Sequence, residues 1–281
     1  MSKIIGFIDY YISEWHADNY PAWIEEISKE TGKDFCFKYV WAEEYVSPVD
    51  GRNTDQWCEQ YGVEKCDTID ELCEKCDYIL VLSPSNPEKH LQYAKEVLKH
   101  KKNTYIDKTF APDYAVAKEI FDIAEQYGTK FFSSSALRYA TELDEVVGCK
   151  NIITTGGGRS LEEYGIHQIE MIVKALDENP VSVKAEKQNN QYVCTISFEN
   201  DKKAVMVYAD SMPFTVCADT KEDVSVYKSI ESDFFKNLLE DILRFFETGE
   251  TSFDVEQTLK VMKIREGVIK AIGAPGAIIE L

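Results

Sequence analysis

The chain has no apolar run approaching the ~20 residues that cross a bilayer, and its first residues enter an apolar stretch without the charged leader and hydrophobic segment of an export signal. The expected compartment is the cytoplasm, and no membrane partner is expected. Positive charge is scarce: 31 Lys and Arg stand against 50 Asp and Glu, a formal charge of −19. That balance repels nucleic acid and anionic lipid while favouring solubility, so no nucleic-acid partner is expected. Of the eight cysteines, Cys73 and Cys76 have the two-residue spacing of a zinc or redox pair, with Cys58 and Cys66 nearby. The second half of a ribbon-like C-x-x-C set is missing, so the expectation is buried reduced thiols and no metal.

The most consequential absence is glycine at one turn. Residues 3–16 read as a strand running into a dinucleotide-binding turn, whose usual form is G-x-G-x-x-G opening a helix. Glycine there permits the tight bend, the backbone's approach to a pyrophosphate, and close helix packing. Those three places hold Asp9, Tyr11 and Glu14.

What is present is 44% apolar content, enough for a sizeable core, laid out in a clear rhythm. Strands are predicted at 4–8, 35–41, 78–82, 103–106 and 130–133, and helices at 20–31, 54–61, 87–100 and 114–127. The last of these helices stops at Gly128. Alternation of this kind predicts a Rossmann-type parallel sheet. After about residue 135 the pattern changes. A helix at 136–147, a strand at 151–155 and a helix at 167–176 precede short β-rich segments at 181–186, 192–198, 204–209, 214–218 and 224–227. Asn200-Asp201 marks a hairpin turn, and helices at 234–247 and 255–271 close the chain. The fold class is therefore α/β: a Rossmann-type domain over 1–135 and, over 136–281, an α+β domain with a mostly antiparallel sheet.

Four segments in order carry a family resemblance. They are residues 4–16; Cys76-Asp77-Tyr78-Ile79-Leu80-Val81-Leu82-Ser83-Pro84 with His90 beyond; Asp107-Lys108-Thr109; and Glu163-Tyr164-Gly165-Ile166-His167-Gln168-Ile169-Glu170. Together they resemble the glucose-fructose oxidoreductase, inositol dehydrogenase and MocA (Gfo/Idh/MocA) family across nearly the whole chain. In that family a histidine follows the glycine turn at the place of His16, a later strand ends in Pro-Asn with a downstream His, the next ends in Glu-Lys-Pro, and a second-domain motif reads Asp-x-Gly-x-His.

The resemblance implies an NAD(P)-dependent oxidoreductase acting on a sugar, polyol or related small hydroxylated compound. Carried over by position, Lys108 would polarise the reacting oxygen, His167 would move the proton, and Glu163 would hold the substrate or the histidine. Arg138 and Tyr164 would join His167 at the substrate. Ile8, Asp9, Tyr11, Ile12, Glu43, Ser83, Pro84, Asp107 and Lys108 would line the cofactor. Glu43, or its neighbour Glu44, would take the ribose hydroxyls and favour NAD(H) over NADP(H). The roles make chemical sense, because histidine titrates near neutral pH and a lysine stabilises a developing alkoxide. The resemblance also implies a homodimer or homotetramer packed through the open face of the second sheet.

Each residue has a plainer reading. Lys108 reads as a surface charge past a strand, His167 as a residue that caps or packs its helix, and His16 and His90 as structural. Arg138 either meets substrate or ties the domains together. Two motifs depart mildly from the family: Asp107-Lys108-Thr109 loses the proline, and Glu163 replaces an Asp. The turn departs most. A carboxylate held near 4 Å from a bound phosphate opposes it by ~4 kcal/mol per charge pair at an effective dielectric near 20, roughly a thousandfold in affinity. Alternatively, Asp9, Ser13 and Glu14 cap the first helix of a protein that no longer uses the cofactor. Two functions stay open: an NAD(P)-dependent oxidoreductase, or a cofactor-free relative that is a ligand-binding or regulatory protein or a non-redox acid-base enzyme on a sugar-like ligand.

Overall fold

The apolar runs of the first half become six parallel strands, β1 (Lys3–Asp9), β2 (Phe35–Ala42), β3 (Glu64–Lys65), β4 (Tyr78–Val81), β5 (Thr104–Ile106) and β6 (Phe131–Phe132), in the order β3-β2-β1-β4-β5-β6. The computed structural model describes residues 2–219 and 224–281. Its chain divides into two units, Met1–Ser133 with Leu239–Ser252, and Ser134–Leu238 with Phe253–Leu281. Strand order reverses between β1 and β4. That switch point is where open parallel sheets leave a crevice at the carboxyl ends of their strands.

Helices α1 (Trp15–Thr31), α2 (Thr54–Tyr61), α3 (Ile69–Lys75), α4 (His90–Val97) and α5 (Tyr114–Tyr127) connect the strands. Two of them match the sequence ranges to the residue because their ends are chemically signed. Asn53 and Gln56 form a capping box and Gly62 closes α2 at φ 66°, while Asp113 caps α5 and Gly128 closes it at φ 68°. The first helix begins five residues before the predicted start, with Pro21 inside it, because Glu14 supplies an N-terminal cap. The predicted helix 87–100 is broken into α4 flanked by two 3-10 turns, and α3 and β3 have no counterpart in the sequence reading.

In the second unit, β7 (Asn151–Gly156), β8 (Pro180–Gln188), β9 (Gln191–Phe198), β10 (Lys203–Tyr208), β11 (Thr215–Asp219), β12 (Ser225–Ser229) and β13 (Ile278–Glu280) form one sheet in the order β12-β11-β7-β10-β9-β8-β13. All neighbours are antiparallel except β7 and β10. Asn200 and Asp201 both have positive φ, 58° and 56°, the signature of the predicted hairpin turn. Helices α6 (Leu161–Leu176) and α8 (Gln257–Gly273) pack on this sheet, over buried Val183, Cys194, Ile196 and Met206. The predicted helix 136–147 is instead two 3-10 turns, Ala136–Tyr139 and Thr141–Leu143, separated by Ala140 at an extended ψ of 123°.

Helix α7 (Phe234–Thr248) runs from one unit into the other. Its second half carries Phe246, stacked on Tyr78 at 4.8 Å, and Phe245, edge-on to Phe132 at 5.0 Å. Asn103 donates to the Phe246 carbonyl at 3.0 Å. These contacts place Leu239–Ser252 in the first unit, although the sequence reading kept the whole of 136–281 together.

The clustered thiols are buried packing groups. Burial pushes Cys58 and Cys66 up to about 11 and Cys73 to about 12, and raises Cys76 further. A Cβ on Gly6 of β1 would meet the Cys76 sulfur at 2.6 Å, so the strand and that thiol are mutually fitted. Among the described residues no His, Cys, Asp or Glu group could hold a metal ion, and no helix is long and apolar enough to cross a membrane.

The ring stacking gives a direct test of the unit assignment. Phe246→Ala removes a buried aromatic, and such truncations cost about 3–5 kcal/mol. Urea unfolding of the variant should show a loss of that size, and a loss under about 1 kcal/mol would contradict the packing described.

Candidate functional site

At the carboxyl end of β1, Asp9 is 1% exposed and points across the switch point to Ser83, two residues past β4. Its Oδ1 accepts from the Ser83 amide at 3.0 Å, the Ser83 hydroxyl at 3.1 Å and the Tyr10 amide at 2.7 Å. Ser83 sits at φ 59°, a conformation that a non-glycine residue adopts only with local support. Side chain and backbone thus tie the ends of the two neighbouring strands together. Oδ2 of Asp9 is buried without a partner. Burial, then the nearby Glu14 carboxylate, pushes the Asp9 carboxyl well above the ordinary range.

Glu14 lies at the start of α1, in the place of the third glycine. Its Oε1 accepts from the Ala17 amide at 2.6 Å and its Oε2 from the His16 amide at 2.9 Å. The first amides of a helix are unpaired donors at the positive end of its dipole, the feature that phosphates use. Here a carboxylate of the chain itself holds them. The His16 ring adds Nδ1 to Glu14 Oε2 at 3.1 Å and brings Nε2 to 3.7 Å from Asp107 Oδ2.

The turn between is pinned from outside. Arg52 donates from Nε to the Ser13 hydroxyl at 2.9 Å and pairs with Asp18 at 2.7 Å, and the Ser47 hydroxyl donates to the Ser13 carbonyl at 2.7 Å. Arg52 and Ser47 were not singled out from sequence, because they lie in an irregular loop with no motif, and Asp18 is one acid among several on α1.

The remaining candidates of the first unit fall around this turn. Ile8 and Ile12 are core side chains, 0% and 2% exposed. Tyr11 is half-buried with Tyr10 beside it at 5.8 Å. Glu43 follows β2, but its carboxylate pairs with Lys89 and accepts from the Tyr93 hydroxyl at 2.8 Å. Burial alone would raise Glu43; those two hydrogen bonds outweigh it and hold the group below the usual carboxylate range. Pro84 is buried, and its carbonyl accepts from half-buried Lys108 at 3.4 Å. Asp107 is buried, with Oδ1 accepting from Tyr105 at 3.1 Å and Oδ2, beyond hydrogen-bond reach of the His16 ring, accepting no hydrogen bond. The Lys108–Thr109 peptide is cis. His90 bridges the Leu82 and Phe110 carbonyls at 2.6 Å and 3.0 Å, which fits the structural reading.

A diphosphate does not fit this arrangement as it stands. The helix amides it would use are taken by Glu14, the buried Asp9 carboxyl lies behind them, and the acid meant for a ribose is engaged by Lys89 and Tyr93.

The second unit gathers a different set. The Ser160 hydroxyl caps α6 by accepting from the Glu163 amide, so the helix starts at Leu161, six residues before the predicted start, and His167 lies inside it. Buried Gln168 fastens α6 to the sheet by accepting from Thr154 at 2.8 Å and donating to the Gly156 and Val207 carbonyls. His167 is 8% exposed; its Nδ1 lies 2.6 Å from the Ser135 hydroxyl, with the Tyr164 ring at 5.6 Å and the Phe214 ring at 5.8 Å. The Glu163 carboxylate, half-buried, pairs with Arg159. Arg138, 4% exposed, donates from Nε to Glu170 at 2.6 Å and from Nη1 to Gln257 at 2.7 Å, over the Phe253 ring at 4.2 Å. Nη2 of Arg138 is buried with no partner. Sequence reading found His167 and Arg138 but missed Ser135 and Glu170, which connect them; Glu170 closes the quoted motif, and Ser135 follows two further serines with nothing to distinguish it.

Comparisons bear on this geometry. Residues 44–135 match the Gfo/Idh/MocA family model, described as an oxidoreductase family with an NAD-binding Rossmann fold. A curated relative, the uncharacterized oxidoreductase YhhX of Escherichia coli K12, is 37% identical over 60 residues, 21% of this chain and 17% of that protein's length. Among solved structures, a probable dehydrogenase from Thermotoga maritima superposes with a TM-score of 0.80 at 12% identity, covering 99% of this chain and 98% of its own. GenD2 from gentamicin A biosynthesis, in complex with NAD, gives 0.77 at 13% identity over 100% and 97%. The aldose-aldose oxidoreductase of Caulobacter crescentus, complexed with glycerol, gives 0.76 at 14% identity over 100% of both. At these identities the structural likeness shows the fold.

The raised Asp9 carboxyl sets a pH dependence. A group whose folded pKa lies above its unfolded value of ~3.9 contributes stability in full below that value and loses it as pH rises through the folded pKa. Asp9→Asn keeps the Oδ1 acceptor and cannot ionise. The variant should therefore show a shallower fall in unfolding free energy with rising pH than the natural protein, and a higher Tm at neutral pH. An unchanged pH slope, or a lower Tm at neutral pH, would remove Asp9 from this role.

Proposed function

We propose, from the match of residues 44–135 to the Gfo/Idh/MocA oxidoreductase family model, that the protein acts on a sugar, polyol or related small hydroxylated compound at His167, without a dinucleotide held in the family's manner. The observation that carries this reading is the Glu14 carboxylate on the His16 and Ala17 amides. A phosphate would have to displace it. A carboxylate left about 4 Å from that phosphate would oppose it by ~4 kcal/mol at an effective dielectric near 20, roughly a thousandfold in binding.

His167, with Arg138, Tyr164 and Phe214 in the same unit, supplies what a hydroxylated ligand needs: an aromatic surface, a buried cation and an imidazole that can donate or accept a hydrogen bond. Glu163, engaged by Arg159 on the exposed side, is assigned to the rim.

A second reading is an NAD(P)-dependent oxidoreductase, with Lys108 polarising the substrate oxygen and NAD favoured over NADP. Two observations favour it: the family match over 44–135, whose description is NAD-binding, and the likeness in fold to GenD2, which holds NAD. It requires Glu14 to release the helix end.

The open face of the second sheet suits self-association. Ile153, Val193 and Tyr227 are exposed there, and strand register puts them on one side with Val205 and Cys217 between. We assign that face to a homodimer or homotetramer; sedimentation should find an oligomer, and Ile153→Glu should weaken it. A monomer at all concentrations would refute the assignment.

Calorimetric titration with NADH and NADPH separates the two catalytic readings. The first predicts no binding at millimolar coenzyme; micromolar binding of either one overturns it in favour of the second.

A further inference from the structure

We infer that Ser135 is a positioning residue that fixes neutral His167 as the tautomer protonated at Nε2. The inference stands on hydroxyl accounting. A serine hydroxyl has one proton to donate and two lone pairs to accept with. Ser135 is fully buried, and its Oγ accepts from the Leu137 amide at 3.2 Å, the cap of the Ala136–Tyr139 turn. Its own proton has one acceptor among the described residues, His167 Nδ1 at 2.6 Å. Were Nδ1 protonated, Oγ would accept twice and a buried O–H would go unused, a penalty that biases the tautomers by about tenfold or more.

The serine cannot turn away, because its backbone is held too. The Ser135 amide donates to Glu170 Oε1 at 3.1 Å, and the other oxygen of that carboxylate takes Arg138 Nε at 2.6 Å. His167 and Glu170 are three residues apart on α6, so they share a helix face and clamp one short turn between them. Gln257 extends the frame, accepting from Arg138 and donating to Asp177 at 2.8 Å. The Arg138–Glu170 pair therefore acts on His167 through Ser135, a role distinct from contact with a ligand.

The consequence deepens the reading above and rests on it: a neutral imidazole with its proton on Nε2 polarises an acceptor oxygen rather than removing a proton from a hydroxyl. The resting site is set for a ligand that presents a carbonyl oxygen, such as the keto or aldehydo form of a sugar derivative.

The tautomer is measured without any ligand, so its failure is separate from failure of the functional reading. The chain has four histidines, and 15N NMR of the imidazole nitrogens resolves them, with His167 assigned by loss of its signals in His167→Gln. In the natural protein, above the titration of this group, Nδ1 should show the shift of a bare, hydrogen-bonded nitrogen and Nε2 that of an N–H. Ser135→Ala should return the ring toward a mixture, with the Nδ1-protonated form rising at least several-fold, and Ser135→Thr should restore the natural pattern. A predominantly Nδ1-protonated ring in the natural protein would overturn the inference, as would an unchanged tautomer ratio in a folded Ser135→Ala.

Discussion

The carboxylate of Glu14 on the first amides of α1 is the constraint from which the account of the first unit follows. Helix amides at a strand-to-helix turn must find an acceptor, and in a dinucleotide-binding turn the glycines let a phosphate be that acceptor. This chain carries its own anion to the same donors. Satisfying them internally also explains the rest of the turn. His16 leans on Glu14, and Arg52 braces Ser13 from the outside. Asp9, placed behind a second negative charge, spends one oxygen on Ser83 and leaves the other unpartnered. The result is a Rossmann-type sheet whose switch-point turn has its helix-end amides occupied by a carboxylate of the chain itself.

The second unit is built on the opposite logic. Its buried polar groups hold one another in register around a histidine, with Glu170 at the hub and Gln168 fastening the same helix to the sheet. A network of this kind is costly when incomplete and specifying when satisfied. The unspent donor on Arg138 is the point at which it remains open to a further acceptor. The polar set in one unit and the self-occupied turn in the other are why the proposed function keeps a ligand site at His167 and gives up a diphosphate site at α1.

Much of this was legible in the residues. Period and punctuation located every strand but the short β3 and β13 and gave α2 and α5 to the residue, because caps such as Asn53, Gly62, Asp113 and Gly128 are local signals. The missing glycines were visible, and so was the possibility that Glu14 caps the helix. The reading started α1 at residue 20, five residues late, because the cap that opens the helix is Glu14 and Pro21 lies inside it. The segment 136–147 has helical spacing but forms short turns, held through contacts distant in sequence: Ser135 with His167 and Glu170, and Glu142 with Ser232. The division of α7 between units is likewise tertiary: Phe245 and Phe246 declare their partners only when Tyr78 and Phe132 are in place. Ser135 was unreadable for the same reason, being one serine of three until its neighbour 32 residues away is known.

The most direct measurement is a crystal structure of the protein grown in saturating NADH. The account predicts Glu14 still seated on the amides of His16 and Ala17, with no diphosphate at the end of α1. Coenzyme lying across that turn, with its phosphate oxygens on those amides and Glu14 swung into solvent, would contradict it.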